Sequence, residues 1–363
     1  MFSVFAALIT LGGFVNAQGY VSMPFTKESL DTPLHKREVS GQIRNERFLY
    51  TIGFSLGNDQ KQTCVLNTNS SEIWVYNSQT QAASSYNPSE AQLVSDNFNL
   101  VFRDGTKAQG ALYKDKLTMD GVTVDATFGV SNTYNWDTKW GSFGIGPRAE
   151  KNSCSTAGDA ETSYPFALKN AGKIEAAAYS LVMGKKDRWN GVALFGAVDA
   201  TAYQGKLQLL DNQADDAIVV KFSVDGVPYT GEIDPGSAYT FLPEDIVGRL
   251  ANAAHAKWDD RSKSYNVQTW SDNLTLTIRF GDIEIVLRSK ELLSPNDQFG
   301  SSYTLTVKPQ RDGKIILGDN FLRSAYTVYD LERNQVAIAM AASSDDNPVY
   351  WPITSAGIPG ASY

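Results

Sequence analysis

Asp234 heads a short polar turn, Asp-Pro-Gly-Ser (234–237), directly behind a β-rich run, and Asn67-Thr68-Asn69-Ser70 repeats its outline 234 − 67 = 167 residues upstream. The surrounding strings, TCVLNTNSSEIWV (63–75) and TGEIDPGSAYTFL (230–242), match at Thr63 and Thr230, Asn67 and Asp234, Ser70 and Ser237, and Trp74 and Phe241. A carboxylate in such a turn suits general acid–base work. Little else in the chain does. The 363 residues contain two histidines, His35 and His255, and two cysteines, Cys64 and Cys154. Nucleophilic sites built on histidine, and zinc sites with several Cys or His ligands at short spacing, have almost nothing to use. No G-x-x-x-x-G-K-[ST] loop or G-x-G-x-x-G turn occurs, so no nucleotide, cofactor or metal is expected.

The net charge of −8, from 32 Lys and Arg against 40 Asp and Glu, repels phosphate backbones and argues against nucleic-acid partners. With 42% apolar and 20% charged residues, the chain has the composition of a folded protein with sizeable cores. Residues 1–17, MFSVFAALITLGGFVNA, read as a secretory signal cleaved near Ala17, although the leading segment lacks its usual Lys or Arg. Nothing downstream reaches the roughly 18 apolar residues of a membrane span, and the tail has no hydrophobic terminus for a lipid anchor. A polar, Pro-containing stretch follows to Lys36-Arg37, a dibasic pair suited to a processing protease; cleavage there leaves a mature chain of 363 − 37 = 326 residues starting at Glu38.

The elements that must position the two turns are mostly strands. Phe48–Phe54, Thr63–Leu66, Phe98–Phe102, Leu274–Phe280 and Ile283–Leu287 alternate or are β-rich. Gly57-Asn58, Asp104-Gly105, Asp120-Gly121, Asp225-Gly226 and Asp312-Gly313 mark turns between them. Helical patterns cover Tyr164–Ala171 and Pro243–Trp258, with Ile246, Leu250 and Trp258 on the apolar face and His255 on the wet one. A second internal echo sets Ser142-Phe143-Gly144 against Ile316-Leu317-Gly318. Two similar lobes, each carrying one turn, would face each other across a cleft on a pseudo-twofold axis.

These residues resemble the pepsin-like aspartic proteases, specifically the secreted candidapepsin-type enzymes of yeasts. SYPFALKNAGKIEAAAYSLVM (163–183), VALFGAVDATAYQGKL (192–207) and IILGDNFLRSAYTVYDLERNQVAIA (315–339) look like the corresponding family segments, and the resemblance covers nearly all of the mature chain. It implies a mainly-β, bilobal fold with a peptide-binding cleft: a signal at 1–17, a short prosegment at 18–37, lobes at 38–205 and 206–345, and a polar tail at 346–363. It also implies a secreted monomer that takes an extended peptide or protein ligand in the cleft. The family's activity is acid endopeptidase cleavage by two aspartates, each in a D-[ST]-G-[ST] turn. By pepsin's example, two carboxylates about 3 Å apart share one proton; one draws a proton from a bridging water while the other hydrogen-bonds the scissile carbonyl.

Against that pattern the chain departs at four places. Asn67 stands where the first aspartate belongs; an amide fits the space but neither titrates nor takes a proton from water. Asp234, with no facing carboxylate, is expected to stay ionised from about pH 4 upward. Asn69 replaces the first turn's glycine, a tolerable change if φ is positive there. Pro235 replaces a Ser/Thr whose hydroxyl in the family braces the two turns, and it removes a backbone donor. Thr68, Ser70, Gly236 and Ser237 are kept. In the flap, Phe102-Arg103-Asp104-Gly105 stands where the family has Tyr-Gly before Asp-Gly, so the ring stays and its hydroxyl is lost. Glu232, two residues before Asp234 on one strand, shares its face, but a spacing of roughly 7 Å does not reproduce two carboxylates meeting across an axis.

The two disulfides usual in candidapepsin-type enzymes are missing. Cys64 is expected as a buried small apolar residue, and its pairing with Cys154 is left open. Of two N-x-[ST] sequons, Asn273 is the candidate for a glycan, while Asn69 at the cleft floor is expected unmodified. The reading is a secreted pseudoprotease with a binding cleft; the alternative is an active acid endopeptidase using Asp234 with an altered partner.

Overall fold

Residues Gln60–Asn67 bury Gln62, Cys64 and Leu66 and leave Lys61, Thr63, Val65 and Asn67 partly or fully exposed, the period of two that a strand with one face on a core requires. Strands of this kind dominate the molecule. The computed structural model describes residues 19–29, 48–80, 82, 84–101, 107–133, 139–147, 163–183, 190–296, 302–310, 312–342 and 347–363. The expected signal segment, Lys36-Arg37, the flap residues Phe102, Arg103, Asp104 and Gly105, and Cys154 lie outside these residues.

One large sheet runs through both halves of the chain. It passes from Ala361–Ser362 through Tyr203–Asp211, Gln335–Ala341, Ala325–Asp330, Ala178–Val182 and Asn190–Phe195 to Val21–Ser29. It continues through Phe48–Leu56, Gln60–Asn67, Gly141–Gly144, Ile73–Asn77, Val122–Ser131 and Lys107–Met119 to Gln92–Val101, with Ser85–Tyr86 beside Ile73–Asn77. Ala178–Val182 pairs antiparallel with Ala325–Asp330 and so joins the halves; across that seam Tyr179 and Tyr329 stack with centroids 4.8 Å apart. The second half adds a seven-stranded sheet around Val227–Ile233 and a four-stranded sheet of Lys257–Asp259, Ser264–Val267, Tyr303–Leu305 and Leu293–Pro295. This is the bilobal, mainly-β architecture implied by the sequence.

The internal echoes become a shared register. Leu66 pairs in parallel with Phe143, as Ile233 does with Leu317; Trp74 pairs antiparallel with Ser142, as Phe241 does with Ile316. The glycines closing these motifs are required by close approach. A Cβ on Gly144 would lie 2.6 Å from the carbonyl oxygen of Ser70, and one on Gly318 would lie 2.6 Å from that of Ser237. Two Asp-Gly pairs make the expected hairpin turns with both residues left-handed, at φ 47° and 77° for Asp120-Gly121 and 51° and 79° for Asp225-Gly226.

The helix expected over Pro243–Trp258 is shorter. It spans Glu244–Ala253, burying Ile246, Val247, Leu250 and Ala251. Ala254 caps it, the exposed His255 turns left-handed at φ 49°, and Trp258 falls on the strand Lys257–Asp259, 41% exposed. A three-to-four-residue period ran past its true end because β-hairpin aromatics happened to continue it.

The chain ends are also more structured than expected. Val21–Ser29, inside the expected prosegment, sits between Asn190–Phe195 and Phe48–Leu56 and buries Val21, Met23 and Phe25. Within the expected polar tail, Tyr350–Pro352 pairs with Ala197–Asp199, Ala361–Ser362 pairs with Tyr203–Asp211, and Ile353 is buried. Alternating Val21, Met23 and Phe25 in the first segment, and Ile353 and Ile358 in the last, supply the buried apolar area that docks them.

Lys27 anchors the first strand to a buried acid. Its Nζ lies 2.7 Å from Asp319 Oδ2; Arg323 reaches the same oxygen at 3.0 Å, and the Tyr50 hydroxyl donates to Asp319 Oδ1. The Asp319 backbone N–H donates to Ser237 O at 2.7 Å, which ties this cluster to the second turn. Burial works to raise the Asp319 carboxyl, but Arg323, Lys27 and Tyr50 outweigh it and hold it below the usual carboxylate range. Burial drives the Lys27 ammonium down even though Asp319 pulls it up.

Asp319→Asn leaves Lys27 and Arg323 without their buried counter-ion and is expected to cost about 3–5 kcal/mol in urea unfolding at pH 7. A depressed carboxylate stabilises fully above its unfolded pKa and loses that contribution as pH falls through the folded one. The gap between wild type and variant should therefore narrow between about pH 4 and pH 2. A gap below about 1 kcal/mol at pH 7 would show that the cluster is not an anchor.

Candidate active site

The two turns leave their strands in the same way. Asn67 closes Gln60–Asn67 and its carbonyl accepts from Ile145 N–H at 2.9 Å; Asp234 follows Val227–Ile233 and its N–H donates to Leu317 O at 3.1 Å. Burial matches at the first three positions, and at the fourth Ser70 is half-buried while Ser237 is buried. Asn67 and Asp234 are half-buried, Thr68 and Pro235 buried, Asn69 and Gly236 half-buried. At each head a side-chain oxygen accepts the N–H two residues on, Asn69 N–H to Asn67 Oδ1 at 2.9 Å and Gly236 N–H to Asp234 Oδ1 at 2.9 Å. That bond needs a lone pair and not a charge, so an amide holds the turn as a carboxyl does.

Neither Asn69 nor Gly236 has positive φ, so the glycine position does not demand a left-handed residue. Gly236 provides room instead, since a Cβ there would lie 3.0 Å from Asp234 Oδ1. The buried Asn69 Oδ1 has no hydrogen-bond partner among the described residues.

The amide changes the chemistry at its other atom. Asn67 Nδ2 donates to Ser142 Oγ over a long 3.4 Å, where a carboxylate would offer a second acceptor. The sequence placed Ser142 in the second internal echo but gave it no part in the site. The available signal was its counterpart Ile316, since only the first half puts a hydroxyl at that point of the motif.

The conserved outline of the turns hides a difference in bracing. Ser70 Oγ donates to the buried Glu72 at 2.6 Å, and Ser237 Oγ donates to Tyr239 O at 2.8 Å, so each hydroxyl is engaged locally. Thr68 Oγ1 is buried and has no hydrogen-bond partner among the described residues. Its positional counterpart Pro235 is also buried and has no N–H to give.

Tyr329 is fully buried on Ala325–Asp330. Burial raises its phenol well above the ordinary value, and the charge of Asp234 adds to the effect, which places the ring within electrostatic reach of that carboxylate. Glu232 is half-buried on Val227–Ile233, where it pairs with Val219 and Ile316. Cys64 is a free thiol, 1% exposed, and burial raises its pKa. It behaves as the expected small apolar residue, set against the Trp74 carbonyl at 3.6 Å.

No group of three or more His, Cys, Asp or Glu able to hold a metal occurs among the described residues. A depression of about 300 Å³ lined by Lys169, Glu175, Ala176, Glu332, Arg333 and Ser355 contains neither turn. Its Lys169 and Glu332 pair with each other, and Glu175 accepts from Ser355 N–H at 2.9 Å.

The sequence profile of the eukaryotic aspartyl protease family matches residues 49–341. The chain is 30% identical over 334 residues to secreted aspartic protease 8 of Candida albicans, covering 85% of this chain and 80% of that protein. It is 29% identical over 372 residues to the probable aspartic-type endopeptidase opsB of Aspergillus oryzae, covering 90% and 76% respectively. With candidapepsin of Candida tropicalis it shares 26% identity over 385 residues, 95% of each chain. Among solved structures, the aspartic proteinase of Irpex lacteus superposes with a TM-score of 0.70 at 18% identity, covering 91% of this chain and all of that one, a likeness of fold.

A buried hydroxyl without a partner is destabilising, so Thr68→Val, which swaps hydroxyl for methyl at constant shape, should stabilise the protein by about 1 kcal/mol in urea unfolding. A loss of more than about 1 kcal/mol would reveal a hydrogen bond at Thr68 Oγ1 after all.

Proposed function

The chain belongs to the eukaryotic aspartyl protease family, among the pepsin-like members of secreted candidapepsin type, and we propose that it is a catalytically impaired member whose cleft binds an extended peptide or protein without cleaving it. The observation that carries this reading is the Asn67 side chain. Its oxygen is committed to Asn69 N–H and its nitrogen bears only protons, so it can neither share a proton with Asp234 nor accept one from water. In the family's reaction the proton leaves water as the hydroxyl attacks the carbonyl carbon, and a second acidic group protonates or hydrogen-bonds the developing oxyanion. Asp234 alone supplies a base and no acid.

Pro235 compounds the loss. Without its N–H the second turn cannot donate to the hydroxyl of Thr68, so the brace that would hold two acids coplanar is missing one strut. Backbone-directed binding of an extended segment needs neither acid, because strand-like hydrogen bonding and side-chain pockets supply it. The relative named as a secreted aspartic protease supports an exported protein, and among the described residues no helix is long and apolar enough to cross a membrane. A two-lobe division near Gly205 is part of the same proposal, as is a cleavage after Arg37 that cuts the chain while Val21–Ser29 stays paired between Asn190–Phe195 and Phe48–Leu56.

Purified protein is expected to leave casein intact between pH 3 and pH 5 while still binding a statine-type inhibitor. Asn67→Asp combined with Pro235→Thr should raise cleavage by at least about 100-fold, the usual worth of one positioned acid–base group. Inhibitor-sensitive cleavage by the unaltered protein would establish the rival reading, an endopeptidase that uses Asp234 with a different partner.

A further inference from the structure

The fold separates the two sequons. Asn69 sits in the first turn with its Oδ1 buried and its N–H engaged by Asn67, and Ser71 two residues on is buried as well. A sugar on that amide has no room. Asn273 occupies a turn just before Thr275–Phe280, with Asp272, Asn273 and Thr275 exposed and Leu274 buried between them. Leu274 pins the turn from below: its N–H donates to Ser289 Oγ at 3.1 Å, and its carbonyl accepts from the same hydroxyl at 3.3 Å. Both recognition side chains of the sequon therefore face solvent on a fixed backbone.

Three residues before Asn273 stands Trp270. Its indole meets Tyr303 edge-on, with centroids 5.3 Å apart, and its Nε1 donates to Asp272 Oδ1 at 2.5 Å. The neighbouring residue of the turn thus clamps the ring beside the sequon. Trp258 carries the same clamp two residues ahead, Nε1 to Asp260 Oδ1 at 3.0 Å, but no sequon follows it. Trp270 is half-buried and so presents part of an aromatic surface, held by Asp272 and Tyr303, three residues before Asn273 in the chain. A pyranose ring has one face made largely of C–H bonds, and such a face packs on an aromatic ring with little loss of rotamer entropy when the ring is already held.

We propose that Asn273 is N-glycosylated and that the first N-acetylglucosamine of the glycan packs against Trp270, whose indole Asp272 holds in place. In the transfer, Asn273 Nδ2 attacks C1 of an oligosaccharide carried on a lipid pyrophosphate. The N–C bond forms, the C–O bond to the pyrophosphate breaks, the amide gives up one proton and the lipid pyrophosphate leaves. The glycan then covers apolar indole surface that would otherwise meet water. This site lies on the second half of the chain and is independent of whether the cleft cleaves peptides.

The test is the full chain expressed behind a host secretion leader in yeast. Treatment with peptide N-glycosidase F, which cuts between the asparagine and the first N-acetylglucosamine, should lower its mass by one whole glycan; Asn273→Gln and Thr275→Ala should each abolish that shift, and Asn69→Gln should leave it unchanged. Deglycosylation should lower the Tm of the wild type by about 2 °C and have no effect on the Tm of Trp270→Ala. An unchanged wild-type mass, or a shift that persists in both sequon variants, would overturn the site. An equal loss of Tm in Trp270→Ala would overturn the stacking.

Discussion

Each turn of this protein depends on one oxygen. The side chain at its head must accept the N–H two residues later, and both Asn67 and Asp234 do so at 2.9 Å. This bond fixes the turn, but it places no demand on charge or on the identity of the second atom of the head group. A pepsin-like scaffold can therefore keep its shape while a carboxyl becomes an amide. The structural requirement falls on one atom of the head group, and the Asn67 amide meets it as the Asp234 carboxyl does.

The same separation appears in the brace. Thr68 is retained, buried and shaped as it would be in a working site, yet its hydroxyl has no partner among the described residues, and the positional counterpart is a proline without a donor. A buried threonine fills volume whether or not its oxygen is satisfied. Ser70 and Ser237, engaged by Glu72 and by the Tyr239 carbonyl, are stable within their own turns.

Beneath the turns the halves are locked by charge as well as by strand pairing. Asp319 receives Lys27, Tyr50 and Arg323 through its side chain and reaches Ser237 through its backbone. The first strand is thereby linked to the second turn through one buried carboxylate, and loss of that strand would strand a charge next to the site. An N-terminal segment that reads as a detachable cover is, in the folded chain, a central strand of the largest sheet.

Read alone, the sequence already determined the strand-rich architecture, the internal repeat and an amide at Asn67 where the repeated turn has Asp234. Those features are written in local periodicity, in the repeated turn outline at Asn67 and Asp234, and in residue identity, none of which requires knowing what lies opposite. It overextended the helix to Trp258, because an aromatic at helical spacing looks the same whether it sits on a helix or on the next strand. It gave Ser142 no part in the site, passed over Tyr329 and the Lys27–Asp319 pair, and treated the two chain ends as appendages. Their partners lie 75 residues away for Ser142 and 292 for Lys27. Only tertiary structure decides such contacts, since burial and a facing charge belong to pairs of distant segments and leave no trace in the spacing of either one.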